Sequence, residues 1–165
     1  MVEETGAGVS LPPLETILLE AGEVVRAVIA KLPPEERVKR TGGYFALMAE
    51  VKPTPSAMGP FKIGSVSAEK DAKYRELSVE KSTRMRNHRE HVSSWQSRDG
   101  VEKFGGAIRA NGFILSFSGL PELADECAML VLAVRLRLLT FAEATEIAKI
   151  SSNNLFLETT WGYHP

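Results

Sequence analysis

Apolar residues recur at helical spacing in several stretches of the chain, and these stretches predict its helices. The first stretch lies between the proline pairs at 12–13 and 33–34, with an apolar stripe at i, i+3, i+4 and i+7 positions. A long central helix is expected over about 68–95. A third helix is expected over about 121–139, and a sequence typical of a capping box then starts a further helix over about 140–150.

Short apolar runs between these helices predict strands. Two strands are expected at 44–52 and 61–66. The strongest local signal is the Asn-Gly pair at 111–112, which separates the apolar-rich runs 105–110 and 113–118. Asn-Gly is the preferred sequence of a type I′ turn because both central residues need positive φ, so these runs predict a β-hairpin.

The order of the elements is helix, strands, helix, hairpin, helix. Because no βαβαβ alternation is present, the pattern predicts an α+β fold with an antiparallel sheet covered by helices. We expect a flexible N-terminal arm over 1–10 and one domain over 11–165, whose last segment, 151–165, stays ambiguous.

Composition and charge narrow the class of protein. The 165 residues are 44% hydrophobic and 25% charged, which is typical of a globular domain, and the net charge of -1 gives no overall attraction to nucleic acid or to an anionic membrane. Residues 1–10 lack a secretory signal, and the longest apolar run, 127–134, falls short of the roughly 20 residues of a membrane span, so a cytoplasmic location is expected. The single cysteine, Cys127, is expected to be buried.

One face of the central helix is apolar except for Lys81 and His88, which lie seven residues apart. A buried lysine without a partner is costly, so Lys81 is expected to reach water, pair with a carboxylate or meet an anionic ligand. His88 is expected to bind a metal or haem, to transfer a proton, or to be satisfied by a backbone carbonyl. The other residues of this face are Tyr74, Leu77, Ser78, Met85, Val92 and Trp95.

The same helix carries a basic stretch and a second histidine. Its arginines are interleaved with Glu80 and Glu90, which favours a solvated surface of ion pairs over a strip that binds nucleic acid. His91 is expected to be exposed, and no third ligand joins it and His88, so no zinc site is predicted. The arginines concerned are Arg84, Arg86, Arg89 and Arg98.

One side of the predicted hairpin is small and partly polar, which leaves room for a packed helix or for a ligand. This side leads to the start of the 121–139 helix, whose free amides attract anions. A carboxylate or phosphate is one candidate occupant beside Lys81 or His88, and capping by Ser118 or by water is the alternative. The candidate ligand-binding residues are therefore Lys81, His88, Gly105, Gly106, Arg109, Ser116 and Ser118.

Two sequence features bear on catalysis and on assembly. No Gly-x-Ser-x-Gly elbow is present, and Cys127 lies in an apolar helix, so nucleophilic catalysis has no support. The 121–139 helix is apolar almost all round between 127 and 134, which requires cover on more than one side. A homo-oligomer formed through this helix is therefore expected.

Two blocks of sequence within about 61–137 carry a family resemblance. They comprise Ser67–Tyr74, Glu80-Lys81-Ser82, His88, Gly105–Ile108, Phe113–Pro121 and Asp125-Glu126. These blocks resemble the GlcG/HbpS-like family of haem-degrading-domain proteins. The resemblance implies a profilin-like α+β fold, a tendency to form oligomers and, since some relatives bind or degrade haem, haem as a candidate ligand. The proline-rich 52–60 segment departs from the Asp-x-x-Gly turn of many relatives, and no catalytic residue is carried over.

The sequence thus favours a homo-oligomeric module that binds or senses a small anionic ligand, with a haem-like molecule as one candidate. One alternative is an enzyme of unknown reaction that uses Lys81 or His88 as an acid–base group. Another is an interaction protein that works through the basic 84–98 surface.

Overall fold

The computed structural model describes residues 10–50 and 56–161 of the chain. Apart from residue 10, the predicted N-terminal arm lies outside the described residues. The helices are α1 Leu14–Ala30, α2 Pro34–Arg37, α3 Ala68–Arg86, α4 Glu122–Arg135, α5 Phe141–Ile150 and α6 Asn154–Leu157, and a 3-10 helix spans Ser94–Ser97. The strands are β1 Gly42–Ala49, β2 Ser56–Gly64, β3 Ala107–Ala110 and β4 Phe113–Ser118.

The four strands form one antiparallel sheet in the order β2-β1-β4-β3. The predicted hairpin joins β3 to β4, and both turn residues have positive φ, 53° at Asn111 and 90° at Gly112. Ile108 lies opposite Leu115, as the two-residue turn requires. The hairpin and its register are therefore confirmed.

Each face of the sheet is covered by helices. Phe45, Leu115 and Phe117 lie in the main core, which α1 and α4 complete from one side. Met48 and Ile114 lie in a smaller cluster with Met85 of α3. The protein is thus a single α+β domain in three layers, with α3 alone on one face, and the predicted fold class is confirmed.

The edge strand β2 includes part of the proline-rich 53–60 segment, whose composition predicts a loop or a ragged edge. Residues 51–55 lie outside the described part of the chain, but Ser56 to Pro60 belong to β2. Pro60 stands in the strand beside the register shift between Phe45 and Leu47 of β1. An edge strand tolerates proline at such an irregularity because a missing ladder hydrogen bond costs little there.

The central helix ends at Arg86, nine residues earlier than predicted. The chain then turns, and Ser93 and Gln96 form a capping box that starts the 3-10 helix. The side chain of Arg109 donates to the carbonyls of Met85, at 2.8 Å, and His88, at 3.1 Å. These competing polar contacts stop the helix, so the prediction of a continuous helix over 68–95 is wrong.

The apolar helix α4 is covered by its own chain. Residues 124–133 are all buried, under the sheet on one side and under α1, α5 and α6 on the others. The apolar stretch therefore does not need a second subunit to cover it. A homo-oligomer through the 121–139 helix stays a prediction. Cys127 is buried as expected, and burial raises the pKa of its thiol.

None of the helices among the described residues is both long and apolar enough to cross a membrane.

Candidate functional site

Lys81 forms a buried ion pair with Asp125 of α4. The Lys81 ammonium lies 3.0 Å from Asp125 Oδ2 and donates a hydrogen bond of 2.8 Å to the carbonyl of Phe117. The two side chains are 1% and 3% exposed. Of the three expected states of Lys81, pairing with a carboxylate is therefore the one that the structure contains.

Gly106 opens the path by which Lys81 reaches Asp125. The helices α3 and α4 cover opposite faces of the sheet, so the ammonium must pass the end of the β3–β4 hairpin. A Cβ atom at Gly106 would lie 2.6 Å from Lys81 Nζ and 2.9 Å from the Phe117 carbonyl oxygen, and the φ of Gly106 is +128°. Only glycine fits this position, because any side chain would occupy the place of the ammonium and strain the backbone.

Asp125 also takes the place that the sequence offered to an anionic ligand. Its Oδ1 accepts a hydrogen bond of 2.8 Å from the amide of Leu120, just before α4. Burial raises the pKa of Asp125 to about 7, although the neighbouring Lys81 ammonium lowers it. Ser118 does not cap this helix, whose N-cap residue is Pro121 and which has no side-chain cap hydrogen bond. Asp125 instead fixes the chain immediately before the helix.

The remaining hairpin candidates also serve the structure. The Gly105 amide donates to Glu122 Oε1 at 2.8 Å, and the Ser116 hydroxyl donates to the carbonyl of Ser78 in α3 at 2.7 Å. Ser118 is buried opposite Tyr44 of β1. The small side of the hairpin is therefore filled by α3 and by the chain's own polar groups, and it holds no open ligand site.

Arg109 anchors the end of α3. Its guanidinium pairs with Glu50, with Nε 2.8 Å from Oε1 and Nη2 3.0 Å from Oε2, and it donates to carbonyls at and beyond the last turn of the helix. A cation at a helix C-terminus is favourable because it faces the negative end of the helix dipole. All of these contacts are structural, so Arg109 is not free to hold a ligand.

A second buried carboxylate, Glu126, was not among the candidates. It accepts hydrogen bonds from the Ser93 hydroxyl, from Ser151 at 2.5 Å and from the Asn153 side chain at 2.7 Å. Burial raises its pKa. The acidic pair at 125–126 inside an apolar helix was the signal for both carboxylates, because such charges are stable only when their partners are built into the fold.

An open groove lies along the outer face of α3, away from the sheet, and we call it the outer groove. Its volume is about 860 Å³. Its floor includes Val79 and Thr83 of α3, and its walls include Pro60 of β2 and the segment 96–103. His88 and His91 also line it. His88 is therefore the one predicted ligand-binding residue that borders the outer groove.

The two histidines of the outer groove stack on each other. Their ring centroids are 4.9 Å apart and their planes differ by 9°. His88 Nδ1 lies 2.8 Å from the Arg84 carbonyl. Because a carbonyl only accepts, Nδ1 carries the proton and a neutral His88 keeps Nε2 as its acceptor.

His91 is half-buried, 20% exposed, rather than solvated as predicted. Its Nδ1 is buried and has no hydrogen-bond partner among the described residues. The loop that follows α3 places its ring against that of His88.

Arg84 fixes the wall of the outer groove, although the sequence suggested a solvated residue. It is only 8% exposed and pairs with Glu80 at 2.8 Å. Its guanidinium also donates to the carbonyls of Ser94, at 3.0 Å, and Phe104, at 2.7 Å. The arginine thereby ties the loop after α3 to the helix, because its fixed fork of donors reaches several acceptors at once.

The basic 84–98 stretch does not form a continuous cationic strip. Arg84 is buried, and Arg98 stacks on Trp95 at 3.4 Å and pairs with Glu122 at 3.4 Å. Arg86 and Arg89 are exposed. The predicted i, i+4 ion pair is present between Arg84 and Glu80, but it is largely buried rather than on a solvated surface, and Arg98 pairs with a carboxylate of α4. Support for an interaction protein with a basic face is reduced.

In the part of the chain that the structure describes, no three His, Cys, Asp or Glu side chains are grouped so that they would hold a metal ion. Comparisons with protein-family models, with curated proteins and with solved structures found no match. The resemblance to the GlcG/HbpS-like family therefore stays a prediction.

Proposed function

We propose that this chain is a small-ligand-binding or sensing module whose ligand occupies the outer groove. The observation that carries the proposal is a groove of about 860 Å³ bordered by an imidazole of fixed tautomer. Binding sites for small molecules have volumes of about 300–1,000 Å³, with a few polar groups in fixed positions. The cytoplasmic location and the homo-oligomer remain parts of the same proposal.

The charges of the outer groove favour a ligand of mixed polarity over a simple anion. Three cationic and three acidic side chains line it, and several of them pair with each other. Glu80, for example, accepts from Arg84 and from Lys103, which lies 3.1 Å away. The apolar surface of Val79 and Pro60 then offers contact area for the body of a ligand.

Haem is the first ligand to test because the family resemblance implies it. A histidine that binds a metal commonly donates its other ring N–H to a carbonyl, as His88 does to Arg84. This arrangement supports His88 as the residue that would contact haem iron or a hydrogen-bond donor of another ligand.

Catalysis by Lys81 is the less favoured alternative. At 1% exposure, its ammonium has no surface that a substrate contacts, and both of its acceptors belong to the protein. His88 borders an open groove, but no observation among the described residues favours proton transfer over binding.

Filling the outer groove with a large side chain tests whether it is the ligand-binding site. Thr83 is exposed on the floor of the outer groove, whereas Arg86 is exposed on the same helix and does not line it. Fragments that bind the full chain are detected by ligand-observed NMR. We expect Thr83→Trp to abolish their binding and Arg86→Trp to preserve it. If fragments bind both variants as they bind the wild-type protein, the ligand does not occupy the outer groove.

A haemin titration tests the ligand. We expect the Soret band to shift on addition of wild-type protein and of the control Arg86→Ala, and the shift to be altered or lost in His88→Ala. An absent shift, or one that His88→Ala leaves unchanged, would remove haem as the ligand without affecting the fragment result.

A further inference from the structure

The cations that line the outer groove are all engaged within the chain. Arg75 pairs with Asp71, with Nη2 2.9 Å from Oδ2. Arg84 and Lys103 both pair with Glu80, at 2.8 Å and 3.1 Å. Arg84 also donates to two carbonyls of the segment that follows α3. Among the described residues, the outer groove therefore has no lysine or arginine free for an anionic ligand.

Two carboxylates of the same groove are not engaged. Glu76 of α3 and Asp99 of the 96–103 wall line it, and both are exposed. Neither makes a hydrogen bond or an ion pair with another described residue, whereas Glu80 takes two cations. Because the cations are used within the fold and these two acids are not, the charge that a ligand meets in the outer groove is negative.

The two histidines of the outer groove also present acceptors. His88 donates its Nδ1 proton to the Arg84 carbonyl, which leaves Nε2 as an acceptor. His91 Nε2 lies 3.9 Å from Glu90 Oε2, which favours the proton on Nε2 and the lone pair on Nδ1. That Nδ1 is buried and has no partner among the described residues. An unpaired buried polar atom is costly, so this end of the groove lacks a hydrogen-bond donor.

An apolar surface connects the carboxylates to the histidines. Val79 lies on the floor of the outer groove one turn after Glu76 and is 42% exposed, and Pro60 lies on the wall. From Glu76 to Thr83 the helix advances about 10 Å, and the histidines follow beyond its end. The surface therefore fits an extended ligand with an apolar middle and a donor at each end.

We infer that the ligand of the outer groove is an organic amine, with an apolar chain and a second N–H donor at its far end. This assignment deepens the proposed function, on which it rests, by giving its ligand a chemical class. The ammonium group meets the carboxylates of Glu76 and Asp99, and the second donor meets the imidazole nitrogens. An ammonium suits these groups because it carries positive charge and three N–H donors.

The class differs from the small anion that the sequence favours. The cations behind that expectation are used inside the fold, since Lys81 pairs with Asp125 and Arg109 pairs with Glu50. What remains open to a ligand is a set of acceptors, and these select a donor.

The test compares two probes of equal chain length and opposite charge, octylamine and octanoate, at pH 8 and low salt. Ligand-observed NMR with the full chain measures both. We expect saturable binding of octylamine, and binding of octanoate that is weaker by about tenfold or more. Equal binding of the two probes would overturn the inference.

Paired variants locate the ammonium group. Glu76→Gln/Asp99→Asn should weaken octylamine binding about tenfold, because one exposed ion pair contributes up to about fivefold in affinity. Glu35→Gln/Glu158→Gln removes two exposed carboxylates that do not line the groove, and should bind octylamine as the wild-type protein does. Equal affinities of the two double variants would also overturn the inference.

The second donor is tested with 1,8-diaminooctane. We expect it to bind the wild-type protein more tightly than octylamine and to lose this advantage in His88→Phe/His91→Phe, which keeps two rings and removes their nitrogens. Octylamine should bind that variant as it binds the wild-type protein, which shows that the groove is intact. A diamine that keeps its advantage there would overturn the contact with the imidazoles.

Failure of this inference and failure of the proposed function give different results. If Thr83→Trp abolishes fragment binding while octylamine and octanoate bind alike, the outer groove is the ligand site and the amine assignment is wrong. If octylamine binds Thr83→Trp as it binds the wild-type protein, the outer groove is not the site and both are wrong.

Discussion

The two sides of α3 treat charged side chains in opposite ways. On the side toward the sheet, Lys81 is 1% exposed and its ammonium is surrounded by a carboxylate and a carbonyl of the protein. On the outer side, Glu80 and Lys103 pair with each other although their side chains are 26% and 37% exposed. The inner charges are closed into the fold, and the outer ones border an open groove.

This difference teaches where ligand chemistry is available. A buried charge must be satisfied by the chain before the fold is stable, which leaves no capacity for a ligand. Half-exposed charges can exchange water for a ligand at much lower cost. A charged residue on an otherwise apolar helix face should therefore first be checked for a partner within the chain. For Lys81 that partner is Asp125.

The largest expected effect comes from breaking the inner ion pair. At pH 8, above the Asp125 pKa of about 7, Lys81→Met leaves the Asp125 carboxylate buried without its cation, and the free energy of unfolding should fall by roughly 3–5 kcal/mol. Lys70→Met, on the same helix but exposed, should change it by less than about 0.5 kcal/mol. Urea denaturation of both variants measures the difference, and similar values for the two would show that burial does not separate the faces of α3.

A smaller loss is expected when the passage for Lys81 is blocked. Gly106→Ala places a Cβ atom 2.6 Å from Lys81 Nζ at a φ of +128°, and should cost about 2–3 kcal/mol. The control is Gly22→Ala in α1, where the nearest atom is a flexible arginine tip at 3.5 Å. Because alanine favours helices, that variant should be as stable as the wild-type protein or more stable, by up to about 1 kcal/mol. Equal stability of Gly106→Ala and wild type would contradict the role of Gly106.

The smallest expected change is in the free energy of unfolding per pH unit, and it comes from Asp125. Because its pKa rises from 3.8 to about 7 on folding, the folded state holds the proton over that range while the unfolded state loses it. The stability that Asp125 contributes is thus full below pH 3.8 and is lost as the pH rises toward 7, by at most about 1.4 kcal/mol per pH unit.

The contribution of Asp125 to stability is isolated by comparing the wild-type protein with Asp125→Asn. Both are measured by urea denaturation between pH 4 and 8. The advantage of the wild-type protein should shrink as the pH rises to about 7, whereas Asp99→Asn, at an exposed turn residue, should show no such trend. An advantage that grows with pH would mean that the Lys81–Asp125 pair keeps its charges throughout.

Local rules recovered most of the fold. The hairpin followed from Asn111-Gly112, since its turn chemistry depends on two residues, and the capping box at Thr140 and Glu143 was found for the same reason. The end of α3 was missed because it depends on Arg109, which comes from a strand that is distant in sequence. The apolar periodicity of residues 68–95 does not predict that contact.

The candidate site was recovered only in part. The helical period predicted that Lys81 lies on the inner face of α3, and the structure has it there. The same period placed His88 on that face as well, although His88 lies beyond the last turn of the helix. The outer groove was not predicted. It is formed by segments that are far apart in sequence, so its volume is not a property of any one segment.

The sequence by itself determined the secondary structure near its turns and caps, the α+β class and the inward position of Lys81, because these depend on residues within a few positions of each other. Only the tertiary structure decided what each charge meets. Asp125 closes the inner face of α3, and the outer face of the helix borders an open groove. Partner choice depends on which distant segments the folded core brings within hydrogen-bond distance, and local patterns do not encode that distance.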